Sequence, residues 1–452
     1  MQKKILLMLL FTVALVAAGC GDDEENTNPD AMGDITGDTP SDGVDGVEEF
    51  VSGEIAEDTT WTSDTTYILT DLVFVTGGTL TIEAGTQVLG DGGSALVVTQ
   101  NGQIDAVGTA DNPIVFTSSK EAGTRRRGDR GGVVLLGNAP INVPAGQIEG
   151  IEASDNRGSY GGSDAADNCG TLKYARIEFA GFTIGADNEL NGLTLGGCGT
   201  ETDIDYIQVH MGDDDGIEFF GGTAGIKHAV VTRAADDSLD WDQGWQGRIQ
   251  FLVIQQEGAE GDNGWEADNL EDNNDATPRS NPTIYNVTMA GSNDSAANQR
   301  AMTIRRGTAG QIFNVLMTGF PNESIDIRDE ATVELINNDQ LLFGNLIFHN
   351  IGSDGENYFS AEMGEDDDDG GFEESEYFEQ PEVGAQFGVD PMLPDPYNVE
   401  APGLVPPAES PAAMGAANPP SDDFFDVSAT YIGAFEPGGE DWMAGWRAFP
   451  ND

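Results

Sequence analysis

The sequence predicts an all-β chain that winds into a right-handed parallel β-helix with a cap at each end. Short runs of alternating apolar and polar residues fill the chain from about residue 59, and Gly, Asn and Asp separate them. Most of these runs recur every 22 to 26 residues, which fits one coil of a parallel β-helix. A β-propeller blade needs roughly 40 or more residues and four strands, and no leucine consensus indicates a leucine-rich repeat.

Each repeat contains two predicted strands. The first strands are residues 174–179, 205–210, 227–232, 250–255, 284–289, 312–317 and 344–349; the second are 191–195, 215–219, 237–241, 263–267, 300–304 and 323–327. A small residue takes the second position of every second strand, where a tight turn between stacked coils leaves little room: Gly192, Gly216, Ser238, Gly264, Ala301 and Ser324. The one long step, 37 residues, contains the inserted loop NLEDNNDATPRSNP.

The start of the chain predicts export and a lipid anchor. Residues 1–19 combine Lys3 and Lys4 with a short apolar run, which is typical of a signal peptide. The segment ending at Cys20 resembles a bacterial lipobox, so we expect the lipid on that cysteine and a lipoprotein of the outer membrane or cell surface, with the periplasmic face as an alternative location. An ordinary cleaved signal with an incidental cysteine is the alternative. Residues 20–58 are rich in acids and poor in apolar residues, which predicts a disordered tether.

The charge of the chain excludes one class of partner. The formal net charge is −61, which repels nucleic acid and attracts cations. Such acidity also keeps a protein soluble in concentrated salt, so a saline habitat is an alternative explanation for it.

Two further predictions concern the body of the protein. Cys169 and Cys198 lie 29 residues apart in Gly-rich turns, so stacked coils would bring them within reach of a disulfide; two unpaired thiols are the alternative. The β-helix is predicted over residues 59–355, followed by an acidic and Pro-rich region over 356–452. The apolar end of that region is predicted to cover the last coil, and the GGTLTIEAG segment to cover the first.

Several motifs resemble one family. "GTLTIEAGT", "GTADNPIVFTS", "GDDDGIEFFGGT", "DDSLDWDQGW" and the closing "YIGAF" are similar to those of bacterial secreted or lipid-anchored proteins with a right-handed parallel β-helix of the pectate-lyase-like kind. The likeness covers about residues 60 to 450 and implies the fold and export, but no defined reaction. Arg130 stands where many relatives have a tryptophan after Arg-Gly-Asp. Other parallel β-helices handle polysaccharides along one face, which is an analogy of fold alone.

Acidic residues recur at equivalent places in successive repeats. The position two residues after the small one holds Thr194, Glu218, Asp240, Glu266, Thr303 and Asp326. Oxygen ligands suit Ca²⁺ better than Zn²⁺, so the acids around this series form a candidate calcium site; solvated turns are the alternative. The candidate metal ligands are Asp213, Asp214, Asp215, Glu218, Asp236, Asp237, Asp240, Asp262 and Glu266.

The same region suggests binding or catalysis. Trp241, Trp245 and Trp265 are candidate ligand-binding residues because an exposed indole stacks on sugar rings; packing into the core is the alternative. The leading interpretation is a surface protein that binds carbohydrate or another envelope component, with Ca²⁺ as a candidate cofactor. The alternatives are a passive surface or adhesion component and a polysaccharide lyase or hydrolase. Its candidate catalytic acids would be Asp214, Glu218, Asp237 and Asp240.

Overall fold

A computed structural model describes residues 46–182, 190–258, 260–360 and 368–452. The compact unit spans Gly46–Asp452. The predicted signal peptide, Cys20 and most of the predicted tether lie outside the described residues. No helix of the described residues is both long enough and apolar enough to cross a membrane.

Strands dominate the described chain. Its first half contains β1 (Val47–Ile55), β2 (Thr59–Trp61), β3 (Thr65–Val75), β4 (Gly78–Ile82), β5 (Gln87–Gly90), β6 (Leu96–Val98), β7 (Gly102–Val107), β8 (Ile114–Ser118), β9 (Val133–Leu136), β10 (Gly146–Gln147), β11 (Ser159–Tyr160) and β12 (Gly170–Glu178). The remaining strands are β13 (Leu193–Gly196), β14 (Asp203–His210), β15 (Ile217–Phe220), β16 (Ile226–Thr232), β17 (Leu239–Asp242), β18 (Arg248–Gln255), β19 (Asn263–Ala267), β20 (Thr283–Ala290), β21 (Arg300–Ile304), β22 (Gly310–Thr318), β23 (Glu323–Ile327), β24 (Leu341–His349) and β25 (Gln386–Phe387). The α-helices are α1 (Glu330–Asn337) and α2 (Glu374–Phe378).

The strands form the predicted right-handed parallel β-helix. Each repeat supplies a short strand that pairs in parallel with the short strand of the next coil, as β13, β15, β17, β19, β21 and β23 do. Each repeat also supplies a long strand that pairs with the next long strand, from β12 to β24. All the strands predicted over residues 174–349 are therefore confirmed. Inward side chains of every coil merge into one apolar core.

The long strands bend at one residue with a left-handed backbone. The bend residues stack coil upon coil and have φ between 45° and 65°: Tyr174, Tyr206, His228, Phe251, Asn286, Asn314 and Asn345. The ring centroids of Tyr206 and His228 are 4.3 Å apart, and those of His228 and Phe251 are 4.8 Å apart. An L-residue rarely adopts this backbone, and asparagine tolerates it best. We call this series the bend column.

The prediction that the apolar C-terminal end covers the last coil is wrong. Helices α1 and α2 contribute buried side chains there, and Phe378 packs against Phe343 and Phe348 at 5.2 and 5.9 Å. Residues 389–452, here called the C-terminal strap, instead run back along the outside of the coils. Asn345 donates to the carbonyl oxygen of Gly415 at 2.6 Å, whereas Gln208, several coils earlier, donates to that of Ala448 at 2.7 Å. The strap's apolar residues cover the bend column instead of the end of the core.

The other end of the β-helix also differs from the prediction. Strand β4, which contains the GTLTI segment, pairs with both β2 and β7, so it is an internal strand. Strand β1 pairs with β3 in parallel and begins at Val47, inside the predicted tether of residues 20–58. Most of its residues are exposed, including Glu48, Glu49 and Glu54, which explains why its composition resembles a tether. The predicted disulfide between Cys169 and Cys198 is present, with a Cα–Cα distance of 5.8 Å.

Candidate functional site

The equivalent positions predicted from the sequence are true neighbours in the β-helix. Thr194 pairs with Glu218, Glu218 with Asp240, Asp240 with Glu266, Glu266 with Thr303, and Thr303 with Asp326. Side chains on either side of these positions point into the core, so this series points outward. We call Glu218, Asp240 and Glu266 the acidic ladder.

A second row of carboxylates lies three residues before the acidic ladder. The backbone N–H of Asp237 donates to Oδ1 of Asp215 at 2.9 Å, and the backbone N–H of Asn263 donates to Oδ1 of Asp237 at 2.7 Å. Each of these carboxylates therefore holds the turn of the following coil. The second oxygen of each remains available to face the acidic ladder.

The two rows bring carboxylate oxygens together in three overlapping groups. Within each group, one oxygen per residue lies within 4.8 Å of the others: Asp214, Asp215 and Asp236; Asp215, Glu218 and Asp240; and Asp237, Asp240 and Glu266. The last two groups are equivalent and lie one coil apart. Each combines a carboxylate of the second row, the ladder residue of the same coil and the ladder residue of the next coil. Both include Asp240, and its buried Oδ1 has no hydrogen-bond partner among the described residues.

Burial and like charges act on these carboxyls in the same direction. Removal from water, reinforced by neighbouring carboxylates, raises the pKa of Asp215, Glu218, Asp237 and Asp240 well above the ordinary range. For Glu266, burial outweighs the nearby guanidinium of Arg305, and its pKa rises to about 7. The prediction left open whether the ladder faces open water. Glu218 is buried against protein, whereas Asp240 and Glu266 are partly exposed.

Two arginines border one end of the acidic ladder. Arg305 pairs with Glu266, and its Nε lies 2.9 Å from Oδ1 of Asp268. Arg306 reaches the other oxygen of Asp268 at 2.6 Å. These cations balance Glu266 and Asp268.

An inserted segment that was not predicted from the sequence lies beside the coils of the acidic ladder. Residues 137–169 interrupt the repeat after β9 and contain the β10–β11 hairpin. Tyr160 of this hairpin packs against Phe220 and donates from its hydroxyl to Oε1 of Gln243 at 2.7 Å. The negative charge of Glu149 in this segment helps to raise the pKa of Glu218. Asn191, also missed, donates from Nδ2 to Oε2 of Glu218.

The three tryptophans do not form a ligand-binding surface. Trp241, Trp245 and Trp265 are each 0% exposed and belong to the apolar core. Trp245 stacks on Phe219 at 4.1 Å. The interpretation as sugar-binding residues is therefore wrong, and the physical reason is strand alternation: Trp241 and Trp265 adjoin the outward Asp240 and Glu266, so they must point inward.

The remaining candidate residues divide by position. Asp214 and Asp236 belong to the first of the three groups, in which Asp214 is partly exposed and Asp236 is exposed. Asp213 and Asp262 are exposed and belong to none of these groups, so the structure does not bring them to the ladder. Of the four candidate catalytic acids, Glu218, Asp237 and Asp240 lie together around the ladder, and Asp214 lies at its edge.

One comparison with known proteins identifies the family. A family model described as "Pectate-lyase like beta helix domain" matches residues 53–376, which is more than half of the chain. No curated protein and no solved structure gives a significant match. The matched range includes every coil from β3 to β24 and the whole acidic ladder. The chain therefore belongs to the family of pectate-lyase-like β-helix domains.

Proposed function

We propose that this protein binds extracellular carbohydrate through a calcium-loaded acidic ladder, as a lipid-anchored component of the cell envelope. The observation that carries the proposal is the pair of carboxylate groups centred on Asp240, each with three oxygens within 4.8 Å. Ca²⁺ accepts six to eight oxygen ligands in flexible geometry, so each group would leave positions for water or a bound ligand.

Electrostatics supports a cation in this place. Two carboxylates about 5 Å apart repel by roughly 3 kcal/mol at an effective dielectric of 20. Protonation relieves the repulsion at low pH, as the raised pKa values of Asp237 and Asp240 indicate. A hard divalent cation relieves it at neutral pH and also satisfies the unpartnered Oδ1 of Asp240.

Carbohydrate is the ligand class that we propose, on two grounds. First, sugar hydroxyls and carboxylates are oxygen ligands that can complete the coordination of Ca²⁺. The predicted lipid on Cys20 would hold the β-helix at the envelope, where polysaccharides occur. The tryptophans take no part in this proposal.

Calcium binding is tested by thermal unfolding of wild type and two variants. We expect the wild-type melting temperature to fall in chelator and recover with Ca²⁺, because a ligand of the folded state stabilises it. Asp240→Asn should abolish the response because Asp240 belongs to both groups. Asp262→Asn removes an exposed acid outside the groups and should retain it. If wild-type melting ignores both chelator and Ca²⁺, the calcium proposal is wrong.

Carbohydrate binding is tested separately on a glycan array with and without Ca²⁺. We expect binding of one glycan class by wild type and Asp262→Asn, and loss of that binding in chelator or in Asp240→Asn. Calcium-dependent melting without any bound glycan would favour the passive surface component instead.

One observation favours the alternative of a polysaccharide lyase or hydrolase. Glu266 has a pKa of about 7, which suits a group that both gives and takes a proton at neutral pH. Asp240 and Asp237 contribute oxygens within 4.8 Å of it, near the separation of about 5 Å found in retaining glycosidases. An enzyme of this kind would release reducing ends or unsaturated sugars from a polysaccharide, and Glu266→Gln should lower that rate by roughly 10²-fold or more while keeping the fold. Equal rates in wild type and Glu266→Gln would exclude this role.

A further inference from the structure

Arg130 is a charged side chain buried without adequate partners. It is 0% exposed, and among the described residues its Nε and Nη1 have no hydrogen-bond partner. Its Nη2 makes one long contact of 3.4 Å with the carbonyl oxygen of Gly132. Burial lowers its pKa to about 10, so the guanidinium still carries its charge at neutral pH. A buried charge without partners is strongly unfavourable, so this position calls for an acceptor.

The carboxylates closest in the fold are already engaged by other groups. Glu178 accepts from Nε of Arg176 at 2.9 Å. Asp129, the preceding residue, accepts from Oγ of Ser118 at 2.7 Å and pairs with Lys120 at 2.5 Å. The charge of Glu178 acts on Arg130 at a distance, but no hydrogen bond from Arg130 to either carboxylate is present in the described structure.

A second unpartnered donor faces the same small space. Ser94 is 0% exposed, and its hydroxyl has no hydrogen-bond partner among the described residues. A side-chain carbon added to Gly90 would lie 2.7 Å from Oγ of Ser94 and 2.8 Å from Nε of Arg130. The hydroxyl and the guanidinium therefore converge beside the bare Cα of Gly90.

We propose that Arg130, Ser94 and Gly90 form a buried site for a monatomic anion such as chloride. The guanidinium supplies the compensating charge and the hydroxyl supplies a second donor, and the absence of a side chain at Gly90 lets both groups approach its backbone. A water molecule would satisfy the donors but would leave the charge of Arg130 without a counter-ion. The site lies in the turns before β6 and β9, apart from the acidic ladder, and it does not depend on the proposed function.

The direct test uses bromide as an anomalous scatterer in crystals of the full protein. We expect an anomalous peak at hydrogen-bond distance from Nε of Arg130 and Oγ of Ser94. A water molecule at that position, or bromide peaks confined to the surface, would overturn the proposal. This test needs no variant, so it stands even if the site is essential for folding.

The solution test measures melting temperature against chloride at a constant sodium concentration, with gluconate as the replacement anion. Constant sodium keeps the screening of the acidic surface fixed. We expect wild type to melt higher as chloride replaces gluconate, and Arg130→Leu and Gly90→Ala to lose that dependence. The first variant removes the charge, and the second displaces the two donors, which would lie 2.7 and 2.8 Å from the added carbon. Arg126→Leu removes the same charge from an exposed position in the same loop, so this variant should keep the chloride dependence. An equal chloride dependence in all four proteins would contradict the site.

Discussion

At the residue scale, His210 shows how burial fixes a protonation state. Its ring is 0% exposed and lies between Oγ1 of Thr232 at 2.7 Å and the carbonyl oxygen of Pro450 at 2.8 Å. Because that carbonyl only accepts, Nε2 carries the proton and Nδ1 accepts from the threonine hydroxyl. Burial lowers the pKa of His210 to about 3, so the ring stays neutral where an exposed histidine would be charged.

His210 therefore predicts a specific loss of stability in acid. A lowered pKa in the folded state means that the stabilisation is complete above pH 6.5 and is lost as the pH falls toward 3. Between pH 6.5 and pH 5 the loss should be on the order of 2 kcal/mol. His210→Asn should be less stable than wild type at neutral pH, and the difference in free energy of unfolding should shrink in acid. Urea denaturation at several pH values measures this difference. For His349→Asn the difference should change in the same direction, because partial burial also lowers the pKa of His349.

Trp241 gives a second prediction at this scale. The indole is fully buried and donates from Nε1 to Oγ1 of Thr308 at 3.1 Å. Trp241→Ala should lower the free energy of unfolding by about 3–5 kcal/mol because it leaves a cavity. Trp241→Phe should lose much less, and its glycan and calcium binding should equal those of wild type. If folded Trp241→Phe no longer bound glycan, Trp241 would have to be a binding residue after all.

The sequence predicts much of the candidate site, and the residue scale explains the rest. The register of Glu218, Asp240 and Glu266 follows from the repeat alone. The same alternation also places Trp241 and Trp265 inward, so the sequence itself indicates that these two tryptophans belong to the core. Asn191 and Glu149 could not be predicted, because they reach the ladder from a preceding turn and from an insertion that has no repeat pattern.

At the element scale, the bend column combines two ways of accommodating a left-handed residue. Asn286, Asn314 and Asn345 bind strap backbone through their side chains, and asparagine tolerates this backbone. Tyr174, Tyr206, His228 and Phe251 tolerate it less well, but each ring stacks on the next. Trp442 or Trp446 also packs edge-on against the first three of these rings. Stacking of this kind contributes about 0.5–1.5 kcal/mol per pair beyond burial.

Substitutions at Asn314 separate the backbone from the side chain. Asn314 has φ of 60°, and its amide donates to the carbonyl oxygen of Ala417 at 2.9 Å and accepts from the N–H of Ala417 at 2.8 Å. Both Asn314→Gly and Asn314→Ala lose these bonds, but alanine also resists the left-handed backbone by about 1 kcal/mol. We therefore expect alanine to be the less stable variant in urea denaturation. At the exposed Gln311 of the same strand, which has no positive φ, the order should reverse. Equal stability of the two Asn314 variants would contradict this account.

The elements outside the repeat could not be predicted from its period. The strands from β12 to β24 follow the predicted spacing, whereas β1 carries acidic side chains and β10 and β11 are two residues each. The β10–β11 hairpin is held by packing, such as the contact between Tyr160 and Phe220. A hairpin this short leaves no alternating pattern in the sequence.

At the scale of the whole molecule, the C-terminal strap links coils that an ordinary solenoid leaves independent. In a simple solenoid each coil contacts its neighbours, so unfolding can start at either end. Here one segment binds long strands from β24 back to β12, through Asn345 at one end and Arg176 at the other. Coils that are far apart in the sequence are therefore stabilised by contacts with the same segment, the strap.

Removal of the strap should accordingly weaken the whole β-helix. We expect a chain that ends at Gly388 to melt well below wild type and to unfold over a broader temperature range, because the bend column becomes exposed. A matched control is the full chain nicked after Gly388 by an engineered protease site, in which the strap should remain bound and the melting temperature should stay close to that of wild type. Unchanged melting of the truncated chain would show that the coils do not depend on the strap.

The direction of the strap also determines how this protein would respond to a pulling force. The final residues lie beside early coils, since Pro450 contacts His210 and Asn451 contacts Arg233. A load applied to Asp452 would first act on these contacts and then peel the strap bond by bond toward Asn345 before it reached the last coil. Each step breaks a few side-chain to backbone hydrogen bonds, so extension would occur at low force in many small steps. The coils would unwind only after the strap is released, so the strap would protect the β-helix against a load at its C-terminal end.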